Sequence, residues 1–353
     1  MSAAPVLIAP LPQHRLDEPR LFAWLAGRLP GFAGPAELRQ FQGGQSNPTY
    51  LITTPERRYV LRKKPPGKLL PSAHQIEREY RVLRALDGTA VPVPPARVLC
   101  EDEGVIGTAF YVMDFVDGRV LTDTTLAALE KDERRPIYDA MAQTLAALHR
   151  VDYRTAGLAD FGKPENFVGR QINLWTKQYL AAKTDELPAM DALMRWLPEN
   201  APATEEVTVV HGDFRLGNLL YAHDGPQVLA VLDWELATLG HPLSDLAYVA
   251  LPYHLPPGGP LPGLRELDAA AWGLPSEAEF LQAYARAVGR EDIPDWPFFL
   301  ALSLFRLAGI TQGVYARALQ GNAADGGAMA MAAVARSAAE IGWEIASGAR
   351  RVA

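Results

Sequence analysis

The stretch Val207-Thr208-Val209-Val210-His211-Gly212-Asp213-Phe214-Arg215-Leu216-Gly217-Asn218, followed by Val228-Leu229-Ala230-Val231-Leu232-Asp233-Trp234-Glu235, decides the fold. Each half is a short apolar run that reads as a strand and ends in a polar cluster. Asp213 and Asn218 stand five apart across a tight loop, and Asp233 returns about 20 residues on, through the turn His223-Asp224-Gly225. Two carboxylates and a carboxamide oxygen are hard donors, suited to a magnesium ion held jointly with phosphates. One such turn alone would be an ordinary strand ending, since Asp-Gly and Gly-Asn are common turn dipeptides. Both together, in this order, point to a site for magnesium held with phosphates.

Working outward, the part before this stretch is β-rich. Tyr50–Thr53 and Tyr59–Lys64 read as strands joined by a turn near Pro55-Glu56. Ser72 sits where a helix N-cap belongs, and Ile76, Tyr80, Leu83 and Leu86 mark a helical stripe. Val98-Leu99 and Phe110–Met113 read as further strands, with Asp117-Gly118 as a turn. Beyond Gly118 helices dominate: one within Leu126–Val151, then Gln171–Leu180, Asp191–Leu197, Glu277–Val288, Phe298–Leu319 and Ala328–Ala346. Pro and Gly crowd Leu251–Gly263, which reads as a loop. The expected class is α+β and two-lobed: a small β-rich lobe with one helix (1–116), then a larger helical lobe (117–353), with ligands favouring the cleft between.

Composition narrows the function. The chain has 353 residues, a net charge of −7, 48% hydrophobic and 21% charged residues. An acidic chain is a poor candidate for nucleic-acid binding through phosphate neutralisation. Residues 1–118 carry 14 Lys/Arg against 12 Asp/Glu, and residues 119–353 carry 20 against 29. Cys100 stands alone, which excludes an intrachain disulfide framework and a Cys-cluster zinc site. The start of the chain is a poor signal peptide, and no apolar stretch is expected to span a membrane, since Phe298–Phe305 stops at Arg306. A cytoplasmic address is the expectation. No G-x-x-x-x-G-K-[ST] run and no G-x-G-x-x-G fingerprint occur, which disfavours P-loop and dinucleotide folds.

His211-Gly212-Asp213 with Asn218, followed by Leu232-Asp233-Trp234-Glu235, resembles the aminoglycoside phosphotransferase and choline kinase superfamily, small-molecule kinases with a protein-kinase-like fold. The resemblance covers about residues 38–320. It implies Asp213 as the base that orients the acceptor hydroxyl, and Asn218 and Asp233 as magnesium ligands. It implies that His211 and Asp245, the latter in His241-Pro242-Leu243-Ser244-Asp245, brace the catalytic loop. ATP and magnesium are the implied cosubstrate and cofactor. In the first lobe Arg62, on the strand Tyr59–Lys64, takes the phosphate-gripping position, with Lys63 or Lys64 open to share it. Glu77 and Glu79 compete as its carboxylate partner. Glu79 lies three after Ile76 and four before Leu83, so it falls on the inward stripe. Gly43, Gly44, Ser46 and Asn47 resemble the nucleotide loop, and Met113, Asp114 and Val116 the adenine-contacting hinge.

Arg62–His74, Arg170-Gln171-Ile172 with Trp175, and Leu232–Gly240 are similar to the kinase-like domain found fused to acyl-CoA dehydrogenases. That relative implies a hydroxy acid or hydroxyacyl-CoA as acceptor. The 353 residues hold no dehydrogenase portion, so the acceptor is open to differ. The residues lean the same way. Tyr248–Gly263 contains no acid that would draw a polycation. Arg170 and Lys177 share a helix face, and Arg306 interrupts an apolar helix. With Glu235 and Tyr248 they suggest a small-molecule acceptor with an apolar part and a negative group. The alternatives are an aminoglycoside or choline-type kinase and a non-catalytic nucleotide-binding pseudokinase. A metal-dependent hydrolase on the same carboxylates would instead bring more histidines near the acids.

Overall fold

The computed structural model describes residues 6–42, 47–65, 75–320 and 327–352. Its regular elements begin with β1 (Leu7–Ile8), α1 (Glu18–Ala26), β2 (Glu37–Phe41), β3 (Thr49–Thr53), β4 (Arg58–Lys63), α2 (Ile76–Leu86), β5 (Ala96–Cys100), β6 (Phe110–Asp114) and β7 (Arg119–Val120). They continue with α3 (Lys131–His149), α4 (Phe167–Ala182), α5 (Pro188–Glu199), β8 (Thr208–Val210), β9 (Leu219–Tyr221), β10 (Val228–Val231), β11 (Thr238–Gly240), α6 (Pro242–Ala250), α7 (Ala269–Trp272), α8 (Glu277–Val288), α9 (Trp296–Leu319) and α10 (Met331–Ala346). Two compact units result, each discontinuous in sequence. The first takes Met1–Leu121, Ala156–Leu158 and Gly217–Ala237; the second takes Thr122–Thr155, Ala159–Leu216 and Thr238–Ala353.

The first unit is built on a six-stranded antiparallel sheet in the order β1-β2-β3-β4-β6-β5. Side chains alternate across a strand. Tyr59 and Leu61 on β4 therefore join Tyr50, Ile52, Phe110 and Val112 in a core closed by Leu21 and Leu25 of α1. Arg62 falls on the opposite face, directly across from Tyr111 of β6. Lys63 returns to the core side, where burial lowers its pKa, so it does not share the Arg62 face. Of the stripe expected on α2, Ile76, Leu83 and Leu86 are buried while Tyr80 is only half-buried, and Glu79 takes the buried place between Ile76 and Leu83. The expected cap at Ser72 lies outside the described residues. Helix α1 is an addition to the expected single helix of this region. It is only nine residues long and buries just Leu21 and Leu25, too short a pattern for periodicity to mark, and Asp17 caps it by accepting from Arg20 N.

A second, small sheet (β10-β9-β7) also belongs to the first unit. It ties residues 217–237, which follow the sequence boundary at 116/117, to the strand after Gly118. Gly118 has a packing reason to be glycine, because a Cβ there would stand 2.8 Å from the Tyr221 carbonyl oxygen.

The second unit is helical, with β8 and β11 paired antiparallel. Its centre is α9, which packs against α4, α5, α6 and α10. By length and composition α9 is long and apolar enough to cross a membrane, which the sequence reading did not anticipate. Its apolar side chains, among them Phe298, Phe299, Leu304 and Phe305, are buried inside the unit. Helix α6 ends at Ala250, just before the expected loop Leu251–Gly263, and Tyr248 lies within the helix. The His241 ring caps it by accepting from Leu243 N at 3.2 Å, and burial pushes the pKa of that ring down to about 4.

Gly118→Ala is expected to destabilise the first unit by about 1–3 kcal/mol, the usual cost of forced overpacking. Chemical denaturation of the variant beside the parent checks this, and equal midpoints would count against the close approach.

Candidate active site

In the first unit β4, α2 and the turn after β10 assemble one charged cluster. Arg62 Nε stands 3.2 Å from Glu79 Oε2, and Arg62 Nη2 donates to Asp233 Oδ1 at 3.4 Å. The Nε contact is an ion pair and not an aligned hydrogen bond, and that N–H is buried. Glu79 is 1% exposed and accepts from Asn47 Nδ2 at 2.8 Å and from the Tyr111 hydroxyl at 2.9 Å. Burial pushes the Glu79 carboxyl up, against the pull of Arg62 and Tyr111. For Arg62, burial opposes the charge, but Glu79, Tyr111, Asp233 and Glu235 outweigh it and hold the guanidinium protonated. Lys64 pairs with Glu77 instead. The competition between the two glutamates is thereby resolved by geometry: Glu79 meets Arg62, and Glu77 meets Lys64.

Asn218 is buried, and its carbonyl accepts from Leu232 N at 2.8 Å, which sets Asp233 one residue beyond that pairing. Asp233 adopts a left-handed backbone (φ +66), uncommon for a residue with a side chain and frequent at functional sites. The Trp234 indole anchors the turn by donating to Val231 O at 2.9 Å. At the hinge, Asp114 N–H is taken by Pro95 O and its carboxylate by Arg97. Met113 sits within the β4–β6 and β5–β6 ladders. Val116 follows the last strand residues, and no described residue hydrogen-bonds its backbone. Gly43, Gly44 and Ser46 lie outside the described residues. Asn47 serves Glu79.

In the second unit the loop after β8 carries Asp213. Asp245 is 1% exposed and accepts from His211 N at 2.6 Å and Gly212 N at 2.9 Å. Burial works against its charge, but His149, with Nε2 at 3.5 Å, and the His211 contacts outweigh it and hold its pKa below the ordinary aspartate value. His211 Nδ1 accepts from Asp213 N at 3.2 Å, so this ring supports the loop from within. The Asp213 carboxylate meets Arg215 Nε at 3.2 Å and the Tyr248 hydroxyl, whose pKa is pushed up to about 12 by burial and by Asp213. Arg306 Nη2 donates to Gly212 O at 2.6 Å, and its guanidinium lies over the Tyr248 ring (4.6 Å) and the Trp175 ring (5.3 Å).

The other expected acceptor residues are dispersed. Arg170 spends its guanidinium on the Glu165 and Lys163 carbonyls. Lys177 is exposed on α4 and has no partner among the described residues. Glu235 lies in the first unit and acts on Arg62 and Glu79. A cavity of about 420 Å³ in the second unit is lined by Trp175, Ala181, Gly309, Ile310, Gly313 and Arg317, an apolar trough with a cation. Tyr111 and His149 were missed from sequence. Tyr111 carried no local signal, because its place across from Arg62 is set by the register of β4 on β6. His149 ends a long helix and carried no signal of its partner.

A family model described as "Phosphotransferase enzyme family" matches residues 37–302. Acyl-CoA dehydrogenase family member 10 of Mus musculus is 47% identical over 339 residues, covering 96% of this chain and 31% of that protein. Acyl-CoA dehydrogenase family member 11 of Homo sapiens is 43% identical, covering 95% and 44%. The chain thus spans less than half the length of these curated relatives. A solved structure from Ralstonia eutropha JMP134, carrying a provisional aminoglycoside phosphotransferase description, superposes with a TM-score of 0.88 at 48% identity, covering 96% of this chain and 100% of that one. A thermostable mutant of aminoglycoside phosphotransferase APH(4)-Ia, in ternary complex with AMP-PNP and hygromycin B, shares the fold at TM-score 0.61 and 18% identity, covering 93% and 99%. The α+β kinase-like fold expected from the sequence is the fold observed.

Asp245→Asn is expected to cost about 3 kcal/mol of stability, since it replaces two charge-assisted bonds and turns a donor toward a donor. The folded pKa of Asp245 lies below its unfolded value. Its contribution is therefore complete above about pH 4 and lost as pH falls through the depressed value. Denaturation midpoints measured from pH 7 to pH 3 should show an acid-side decline in the parent that is shallower in the variant.

Proposed function

From the premise that this chain belongs to the phosphotransferase enzyme family, we propose that it transfers the γ-phosphoryl group of ATP to the hydroxyl of a hydroxy acid or hydroxyacyl-CoA. The observation that carries the proposal is the Asp213 loop, a carboxylate held on a peptide whose polar atoms are all engaged. In the reaction the acceptor oxygen–phosphorus bond forms as the bond to the β-phosphate bridging oxygen breaks. ADP leaves, and the hydroxyl proton passes to the Asp213 carboxylate. Arg62, kept charged by Glu79, offers its N–H groups to the phosphates. The free backbone of Val116 is the adenine-edge contact.

Asn218 and Asp233 would hold magnesium. One carboxamide and one carboxylate fit that role, because a two-ligand oxygen site leaves positions for phosphate and water. When bound, the ion would neutralise charge on the phosphates. Everything else is positioning by the chain's own residues, which is the main lever in phosphoryl transfer.

The acceptor class rests on three supports. The curated relatives carry acyl-CoA dehydrogenase names. The trough between α4 and α9 suits an apolar chain and offers Arg317 to a negative group. No acid lines it, whereas a polycationic aminoglycoside would want several.

With Mg-ATP and a panel of hydroxy acids, their CoA esters, aminoglycosides and choline, turnover is expected for the first two classes. Turnover confined to aminoglycosides or choline would overturn the acceptor assignment, and ATP binding without any turnover would favour the pseudokinase. Asp213→Ala should lower kcat by about 10²–10⁴-fold, the range for general-base loss, with nucleotide affinity kept. Gly313→Leu should fill the trough and cut kcat/KM for long-chain acceptors by about tenfold or more while sparing short ones.

A further inference from the structure

We propose that Arg306 is a positioning residue for the phosphoryl transfer, fixing the peptide plane that delivers Asp213. The inference rests on the phosphotransfer reading and concerns how that reaction's base is aimed.

Helix α9 buries an almost unbroken apolar face, from Phe298 to Phe305 and again from Leu307 to Gly309. A guanidinium in that setting needs compensation. Among the described residues Arg306 forms no ion pair. It is held between two aromatic faces, Trp175 from α4 and Tyr248 from α6, and delivers one donor at 2.6 Å to Gly212 O. Its Nε is buried without a hydrogen-bond partner. A cation kept at that cost, with its single hydrogen bond on one carbonyl, marks that carbonyl as the thing being held.

The carbonyl lies in the peptide that leads into Asp213. Counting backbone polar groups along the loop shows why it matters. His211 N–H and Gly212 N–H go to the two oxygens of Asp245, and Asp213 N–H goes to His211 Nδ1. Gly212 C=O goes to Arg306. No strand or helix ladder holds this stretch. Gly212 has φ +81, a conformation in which glycine meets little steric resistance. The Gly212–Asp213 peptide is therefore free to rotate unless both its ends are tied. Asp245 ties the amide before it, His211 ties its N–H weakly, and Arg306 ties its oxygen with a charge-assisted bond. The same guanidinium stacks on Tyr248, whose hydroxyl meets the Asp213 carboxylate. One cation thus constrains Asp213 through its backbone and through its side chain. The rival role, an anion contact for the acceptor, predicts a different kinetic signature.

The test combines hydrogen exchange of the 209–216 segment, followed by mass spectrometry, with steady-state kinetics on Arg306→Met and Arg306→Lys. In Arg306→Met, exchange at His211–Asp213 should quicken by about tenfold, the factor matching one lost hydrogen bond to a charged donor. The kcat should fall by about 10- to 100-fold, with KM for ATP and acceptor unchanged within about twofold. Arg306→Lys keeps a donor without the flat stacking surface, and both quantities should lie between parent and Met variant. If Arg306→Met does not fold, the lysine variant reads the same two quantities. Unchanged exchange overturns the brace whether or not any acceptor is turned over. Faster exchange with parental kcat overturns the positioning role, and so does a raised acceptor KM at constant kcat. A parent enzyme inactive on every acceptor defeats the phosphotransfer reading instead, and exchange alone then decides the brace.

Discussion

A carboxylate taken out of water must be matched by donors almost atom for atom, and that constraint organises the first unit around Glu79. Its oxygens receive Asn47, Tyr111 and Arg62, which arrive from the segment before β3, from β6 and from β4. Those strands are neighbours in one sheet, so the ion pair and the sheet register are mutually dependent. A one-residue slip of β4 would carry Arg62 to the core face and Lys63 to its place. The burial of Lys63 beside the hydrophobic core shows how firmly the apolar pattern enforces the register.

Asp245 solves the same problem in the second unit with different donors. It takes two consecutive backbone amides and stands close to a histidine, where Glu79 takes side chains. The consequence differs accordingly. Donors from side chains bring in a cation, Arg62, which also reaches Asp233. Donors from the backbone leave a loop whose shape is imposed by the carboxylate. One buried acid thus presents charge, and the other presents geometry.

Much of this was legible in the sequence where a local rule applied. Glu79 followed from its spacing to Ile76 and Leu83, while the bracing roles of His211 and Asp245 were implied by the family resemblance rather than by any local rule. What escaped depended on non-local partners. The attachment of residues 217–237 to the first unit involves β9 pairing with Arg119-Val120 and the Arg62–Asp233 contact, both between residues roughly 100 or more apart. Helices α1 and α6 span only nine residues each, too few turns for periodicity to declare them. Arg306 was legible as an anomaly in an apolar helix. Its acceptor was not, because a backbone carbonyl has no signature in sequence, and the expected anion was replaced by Gly212 O and two rings.

The net charge of −7 takes on a different meaning once these acids are placed. Glu79 and Asp245 are buried and committed to structure, and Glu235 acts on the Arg62 pair. Asp213 already faces Arg215 and Tyr248, and Asp233 faces Arg62. Carboxylates that are engaged in this way project little field beyond their partners. The α4–α9 trough, by contrast, contains no acid and includes Arg317. A global count weights every charge equally, whereas a ligand feels only those left uncompensated near it. On that measure the net charge of −7 does not set the field at any one surface, and the α4–α9 trough itself is neutral to positive.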